Sequence, residues 1–175
     1  MATKSLMSVE EYLHTSFDGC DCEYVDGEIV ERNMGELGHS TIQYELMRLL
    51  GLLAASLGLQ IKPEIRIRIG SSRYRIPDIG VWLPGDIGKR IPTVPPFLAI
   101  EILSPEDRWP RMHTKIQEYL GYGVEWIWVI DPEERAAWCF NQGNATGTRS
   151  ETLRTENPVI EIPLSQVLDS EAESR

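Results

Sequence analysis

The chain has 175 residues, with 17 Lys and Arg against 27 Asp and Glu, a formal net charge of −10. That length is enough for one domain with a proper core. Hydrophobic and charged fractions of 42% and 25% are those of an ordinary folded protein, which excludes collagen-like, mucin-like and wholly disordered chains. The acidic balance argues against a protein that coats nucleic acid nonspecifically.

Ser8-Val9-Glu10-Glu11 has the spacing of a capping box and opens a short helix through about Thr15. Cys22–Val25 and Glu28–Glu31 flank Asp26-Gly27, a pair suited to a type I′ hairpin turn. A helix is expected from about His39 or Ser40 to Leu57, because Ile42, Leu46, Leu49, Leu50, Leu53 and Leu57 keep helical spacing and Gly58 stops it. Ile61 to Ile69 alternates between apolar and charged residues and reads as one half-exposed strand. Arg73–Ile76 and Ile79–Leu83 follow as short strands on either side of Pro77-Asp78, before a Pro- and Gly-rich loop from Pro84 to Pro96.

Phe97–Leu103 is an apolar run with one carboxylate, Glu101, in its interior, bounded by Pro95-Pro96 and Ser104-Pro105. It reads as a strand buried on both faces. A helix from roughly Pro110 to Tyr122 carries the stripe Met112, Ile116, Tyr119 and Leu120. Trp126–Ile130 reads as a central strand, Asp131–Glu134 as a turn and Ala136–Phe140 as the hairpin mate. The segment 141–157 reads as a polar loop, Val159–Ile162 as an edge strand, and 171–175 as a frayed acidic tail. No repeat or linker divides the chain, so the expectation is a single α/β (mixed α+β) domain with long helices packed on the faces of a mixed sheet.

The N-terminus lacks the apolar core of a signal peptide, and the long apolar stretch Ile42–Leu59 is interrupted by Glu45 and Arg48. The chain therefore reads as cytoplasmic, without a membrane segment. Cys20, Cys22 and Cys139 give no even disulfide framework and no zinc spacing, so they are expected as reduced thiols.

A carboxylate buried in a strand demands a metal, a cation or a proton, because an unpaired charge there costs several kcal/mol. Asp78 and Glu101 lie on neighbouring expected strands and could converge on one hard cation. Mg²⁺ or Mn²⁺ is the natural candidate, since such ions take a few carboxylates and complete their shell with water and phosphate oxygens. Such an ion lowers the pKa of its water and acts as a Lewis acid toward a phosphodiester. Lys115, at the edge of the helix stripe, can reach back to the sheet and offset charge developing on the phosphoryl group. Lys62 to Lys115 holds ten Lys or Arg against six Asp or Glu, so the candidate segment is net +4 within an acidic chain.

Each candidate has a plainer reading. Asp78 could be a turn residue after proline, Glu101 the partner of Arg66, Arg68, Arg73 or Arg75, and Lys115 a solvated helix charge. His39 could be an ordinary residue at a helix start or a satisfied histidine, or else a proton carrier or third metal contact in the site. Glu64 reads as an exposed strand carboxylate or a further metal contact. Tyr119, Trp126 and Trp128 read as core, while Trp109 stands in a loop where stacking on a base is conceivable.

Pro77-Asp78 followed by Glu101-Ile102-Leu103 resembles the metal-binding half of the PD-(D/E)xK nuclease superfamily, with Leu103 standing where that motif has lysine. The ordered set Asp26-Gly27-Glu28, His39, Tyr74–Asp78, Glu101–Pro105, Lys115–Tyr119, Gly123-Val124 and Trp128–Pro132 is similar to the Uma-two family of bacterial proteins, assigned as restriction endonucleases largely from their fold. In that family the following helix carries the lysine, which matches Lys115. The resemblance covers roughly residues 8 to 140. It implies a restriction-endonuclease-like fold, a divalent metal held by Asp78, Glu101 and the carbonyl of Ile102, and nucleic acid, DNA first, as substrate. Cutting both strands would call for a homodimer. The competing expectation is a catalytically silent binding or regulatory module that keeps the fold, and the acidic charge favours it.

Overall fold

A computed structural model describes residues 6–17, 21–33 and 35–169. The tail 171–175 and Cys20, both subjects of expectations above, lie outside the described residues. The capping box closes at the start of helix α1 (Val9–His14): Ser8 Oγ accepts the Glu11 N–H at 3.2 Å, and Glu11 accepts the Ser8 N–H at 2.8 Å. Strands β1 (Cys22–Val25) and β2 (Glu28–Glu31) pair antiparallel across the expected turn, where Asp26 has φ 49° and Gly27 φ 95°. Both central residues of a type I′ turn need that left-handed region.

Helix α2 (Leu37–Leu57) buries His39, Ile42, Leu46 and Leu50, and ends at Gly58 with φ 67°. The helix begins two residues earlier than the apolar periodicity suggested, so His39 lies within it.

The alternating run 61–69 is not one strand. It breaks at Glu64, which has φ 46° and donates its N–H to the Asp78 carbonyl at 3.0 Å. Strand β3 (Gln60–Pro63) pairs with β6 (Ile79–Trp82), whereas β4 (Ile67–Gly70) pairs with β5 (Arg73–Arg75). Period-2 alternation reports that each half is half-buried, but not which sheet it joins. The chain crosses between sheets twice, outward around Glu64 and back through Ile76-Pro77-Asp78.

The small sheet has the order β2-β1-β5-β4, and the large one has the order β10-β9-β8-β7-β6-β3. In the latter, β7 (Leu98–Ile102) pairs parallel with β8 (Trp126–Asp131), and helix α3 (Trp109–Tyr122) forms the crossover. Strand β8 is central as expected, flanked by β7 and β9 (Ala136–Asn141). The polar segment 141–157 is not a loop. It contains β10 (Asn144–Arg149), an edge strand with a register break before Thr148, and β11 (Thr152–Arg154). Strand β10 is mostly exposed, so it carries no apolar alternation for a sequence reading to find. Strand β11 pairs with β12 (Glu161–Pro163) in a separate two-stranded sheet, ahead of helix α4 (Leu164–Leu168).

One face of the large sheet packs Ile79, Val81, Leu98, Ile100 and Ile102 against Ile42, Leu46 and Leu50 of α2. The other packs Ala99, Ile127 and Val129 against Met112, Ile116 and Tyr119 of α3. Burying each large aliphatic side chain contributes about 1.5–3 kcal/mol, so these two layers fix the sheet between its helices. Trp109 is the first residue of α3, not a loop residue, and its ring meets Trp138 edge-on at 4.7 Å. Cys22 is buried, Cys139 is partly buried, and neither is in a disulfide.

Candidate active site

The parity of β7 decides where Glu101 points. Leu98, Ile100 and Ile102 face α2, so Ala99 and Glu101 face α3. Lys115 and Tyr119 lie one helical turn apart on the buried stripe of α3, and both reach Glu101. The Tyr119 hydroxyl donates to Oε1 at 2.7 Å, and the Lys115 ammonium donates to Oε2 at 2.9 Å. Lys115 Nζ also lies 2.8 Å from Glu23 Oε1 and 3.3 Å from the Ile76 carbonyl, so all its protons have acceptors. Glu23, on β1, is completed by Arg75 Nη1 at 2.7 Å and the Ile76 N–H at 3.0 Å. Arg75 in turn holds Glu118 at 2.7 Å.

Asp78 stands where the chain passes from the small sheet into β6. Its carbonyl accepts from Gln43 Nε2 and from the Glu64 N–H, both at 3.0 Å, which fixes the backbone. Its Oδ2 accepts the Ile102 N–H at 2.7 Å, tying it to the end of β7. Its Oδ1 pairs with the Arg32 guanidinium and lies 3.3 Å from His39 Nε2. Asp78, Glu101, Lys115 and His39 all line one cavity of ≈ 190 Å³, together with Ile102, Glu23, Arg32 and Glu64.

Burial raises the pKa of every carboxyl here, and the neighbours decide the outcome. At Glu101 burial wins over Lys115, and with Asp78 and Glu23 adding repulsion the group is pushed up to about 7. At Asp78 burial is outweighed by His39 and Arg32, which hold it below the usual carboxylate range. At Glu23 burial is likewise overcome, by Lys115 and Arg75, and the group sits at about 2. Burial pulls Lys115 and His39 down, but the carboxylates facing them raise both. Lys115 is therefore an ammonium throughout the physiological range.

The structure brings together the four candidate side chains and Ile102. Glu101 is not paired with Arg66, Arg68, Arg73 or Arg75; its partners come from α3. Glu64 lies at the cavity rim, 46% exposed and 3.8 Å from Arg32. Glu23, Arg32, Gln43 and Glu118 of the network are not singled out in the sequence, whereas Tyr119 reads as core and is core. Glu23 was hidden because Cys22 and Tyr24, its apolar neighbours, made an ordinary strand. Arg32 follows the hairpin with nothing to mark it, and Tyr119 keeps the core spacing of its helix while also donating a hydrogen bond.

The donor set suits a hard divalent ion. Asp78 and Glu101 offer carboxylate oxygens on one cavity, and no cysteine is among the described residues that line it. Among the described residues no three His, Cys, Asp or Glu side chains form a ready metal-ligating group. An ion here would depend on water or phosphate oxygens for much of its shell, which is the habit of Mg²⁺.

A mixed sheet with a parallel central pair, a crossover helix and buried carboxylates at the seam defines a restriction-endonuclease-like nuclease fold. Residues 9–171 match Uma2, described as "Putative restriction endonuclease", and the chain belongs to that family. The fold is similar to the crystal structure of a protein described as a putative nuclease belonging to DUF820 from Anabaena variabilis. The TM-score is 0.79 at 21% identity, covering 93% of this chain and 98% of that one. None of the curated proteins matches the chain. Among the described residues no helix is long and apolar enough to cross a membrane.

Proposed function

We propose that this member of a nuclease family is a metal-dependent endonuclease hydrolysing phosphodiester bonds in nucleic acid, with duplex DNA the first substrate to test. One observation carries the reading: Asp78 before β6, Glu101 in β7 and Lys115 in α3 line the same cavity. Asp78, Glu101 and the Ile102 carbonyl would hold Mg²⁺ or Mn²⁺. A bound ion of this kind supplies Lewis-acid polarisation of the phosphate and a water of lowered pKa.

The chain's own residues do the rest. Lys115, fixed by Glu23, Glu101 and the Ile76 carbonyl, keeps its positive charge and offsets charge that builds on the phosphoryl oxygens. As an ammonium it has no lone pair with which to remove a proton, and orienting the attacking water would take one of its three donors from the chain's own acceptors. Tyr119 holds the second oxygen of Glu101 and so fixes the carboxylate's orientation. Burial lowers and Asp78 raises the pKa of His39, with a net rise, and its Nε2 faces Asp78 Oδ1 at 3.3 Å, which makes His39 the candidate proton carrier of the site. A symmetric dimer would be needed to cut both strands in one encounter.

The test is cleavage of duplex DNA and of RNA with Mg²⁺ by the wild type and by Asp78→Ala, Glu101→Ala and Lys115→Ala, each checked for folding by far-UV circular dichroism. All three variants are expected to be folded and inactive. Cleavage retained by Lys115→Ala would remove the lysine from the mechanism.

A second reading is a silent binding module. It is favoured by the saturation of both carboxylates by the chain's own groups, Arg32 and His39 on Asp78, Lys115 and Tyr119 on Glu101. Failure of the wild type to bind Mn²⁺ in calorimetry, even with a DNA duplex present, decides for it.

A further inference from the structure

Asp78 is nearly inaccessible, with its side chain 3% exposed, and a lone carboxylate in that position needs a counter-charge at all times. Its Oδ2 is committed to the Ile102 backbone N–H, which lies within the sheet and does not leave. Only Oδ1 faces the groups of the cavity, and there it meets Arg32 Nη2, with His39 Nε2 at 3.3 Å. Arg32 comes from the segment between β2 and α2, and its side chain is 15% exposed, so it reaches Asp78 from the cavity side and is not sealed within the core. The same guanidinium has a second carboxylate beside it. Glu64 Oε1 lies 3.8 Å from Nη1 and is 46% exposed.

We infer that Arg32 is a built-in placeholder for the metal. It neutralises Asp78 Oδ1 while the site holds no ion, and it is displaced toward Glu64 when a divalent cation takes that oxygen. The inference rests on the reading of Asp78 as a metal ligand and adds a competitor to it. Two cations repel at contact distance, so a guanidinium and a divalent ion do not share one carboxylate oxygen without loss. The cavity as a whole accommodates the exchange. Six carboxylates, from Asp21, Glu23, Glu64, Asp78, Glu101 and Asp107, line it against four Arg or Lys, from Arg32, Arg75, Arg111 and Lys115. His39 adds a further basic group to that lining and Glu101 titrates at about 7, so the cavity is near charge balance before an ion enters and Arg32 is one of the groups that sets it.

The experiment is calorimetric titration of Mn²⁺ into the wild-type chain, Arg32→Ala and Arg32→Lys, with melting of each protein measured without and with saturating Mn²⁺. Arg32→Ala is expected to bind Mn²⁺ about tenfold tighter or more, because the lost competitor is more buried than an ordinary surface ion pair. It is also expected to melt lower than the wild type without the ion and to gain more from it. Arg32→Lys, with a shorter and more strongly hydrated charge, is expected between the two. Should Arg32→Ala fail to fold, Arg32→Lys decides by the same direction of change. An arginine that merely supports the fold would lower melting without tightening metal binding, so equal or weaker affinity in the variants overturns the inference while leaving the metal site standing. Absence of Mn²⁺ binding in all folded proteins overturns the metal-site reading, and the placeholder with it.

Discussion

Glu23 and Lys115 meet at 2.8 Å beneath the cavity, which ties the N-terminal hairpin to the helix that follows the Glu101 strand. Glu23 is 1% exposed and Lys115 8% exposed. The pair is thus a load shared between the small sheet and the large one. Replacing Glu23 by Gln keeps the shape and one acceptor for the Ile76 N–H, but leaves Lys115 and Arg75 short of a negative partner. Removing one member of a buried pair costs about 3–5 kcal/mol. Glu23→Gln is therefore expected to melt roughly 6–20 °C lower, at about 2–4 °C per kcal/mol for a chain of this size. Differential scanning calorimetry measures this, and an unchanged melting temperature would show that the pair contributes nothing net.

The same residue sets an acid-side dependence. The Glu23 carboxyl ordinarily titrates at 4.5 and is held at about 2 in the folded chain. Its folded value is depressed, so the stability it contributes is complete above pH 4.5 and is lost as pH falls toward 2. Taken over that interval the loss is roughly 3 kcal/mol. Urea denaturation of wild type and Glu23→Gln across this range should show their difference shrinking as the solution is acidified. A difference that stays constant from neutral pH to pH 2 contradicts the assignment of the depressed pKa to Glu23.

What was legible in the sequence was the chemistry that breaks a local pattern. A carboxylate inside Leu98–Ile102 contradicts its neighbours, and a Pro-Asp pair at a strand start marks a fixed corner. The lysine had to be joined to them by chain order and resemblance. Glu23 and Tyr119 obey the local pattern while serving the polar network, so only the folded arrangement reveals them. The crossing of the chain between sheets at Glu64 was invisible for a related reason. Both halves of 61–69 are half-buried strands, and alternation is blind to which neighbour a strand pairs with. Strand β10 is exposed on both sides and has no apolar face to show.

Tyr119→Phe isolates one hydrogen bond. The ring is fully buried and packs with Ile116 and Met112, so the variant keeps the apolar contacts and loses only the donor to Glu101 Oε1. A buried acceptor left unpaired costs about 1–3 kcal/mol, more where it is charged. The expected result is a lower urea midpoint at unchanged m-value, with near-native far-UV circular dichroism. If the endonuclease reading holds, cleavage should fall but persist, since the carboxylate remains and only its orientation is loosened. A midpoint equal to that of the wild type would mean that water replaces the hydroxyl without loss.

Lys115→Arg tests how closely the site is fitted to an ammonium. Nζ has acceptors at 2.8, 2.9 and 3.3 Å, from Glu23, Glu101 and the Ile76 carbonyl, in a space that is 8% exposed. A guanidinium keeps the charge but is planar, longer and forked, and cannot direct its donors at three acceptors grouped around one point. Overpacking of this kind typically costs 1–3 kcal/mol, roughly. Lys115→Arg is therefore expected to melt lower than wild type and, on the endonuclease reading, to lose metal-dependent cleavage as fully as Lys115→Ala. Calorimetry and a cleavage assay on the two variants side by side check this. Activity rescued by arginine would show that charge alone, without the three-acceptor geometry, is what the reaction takes from this position.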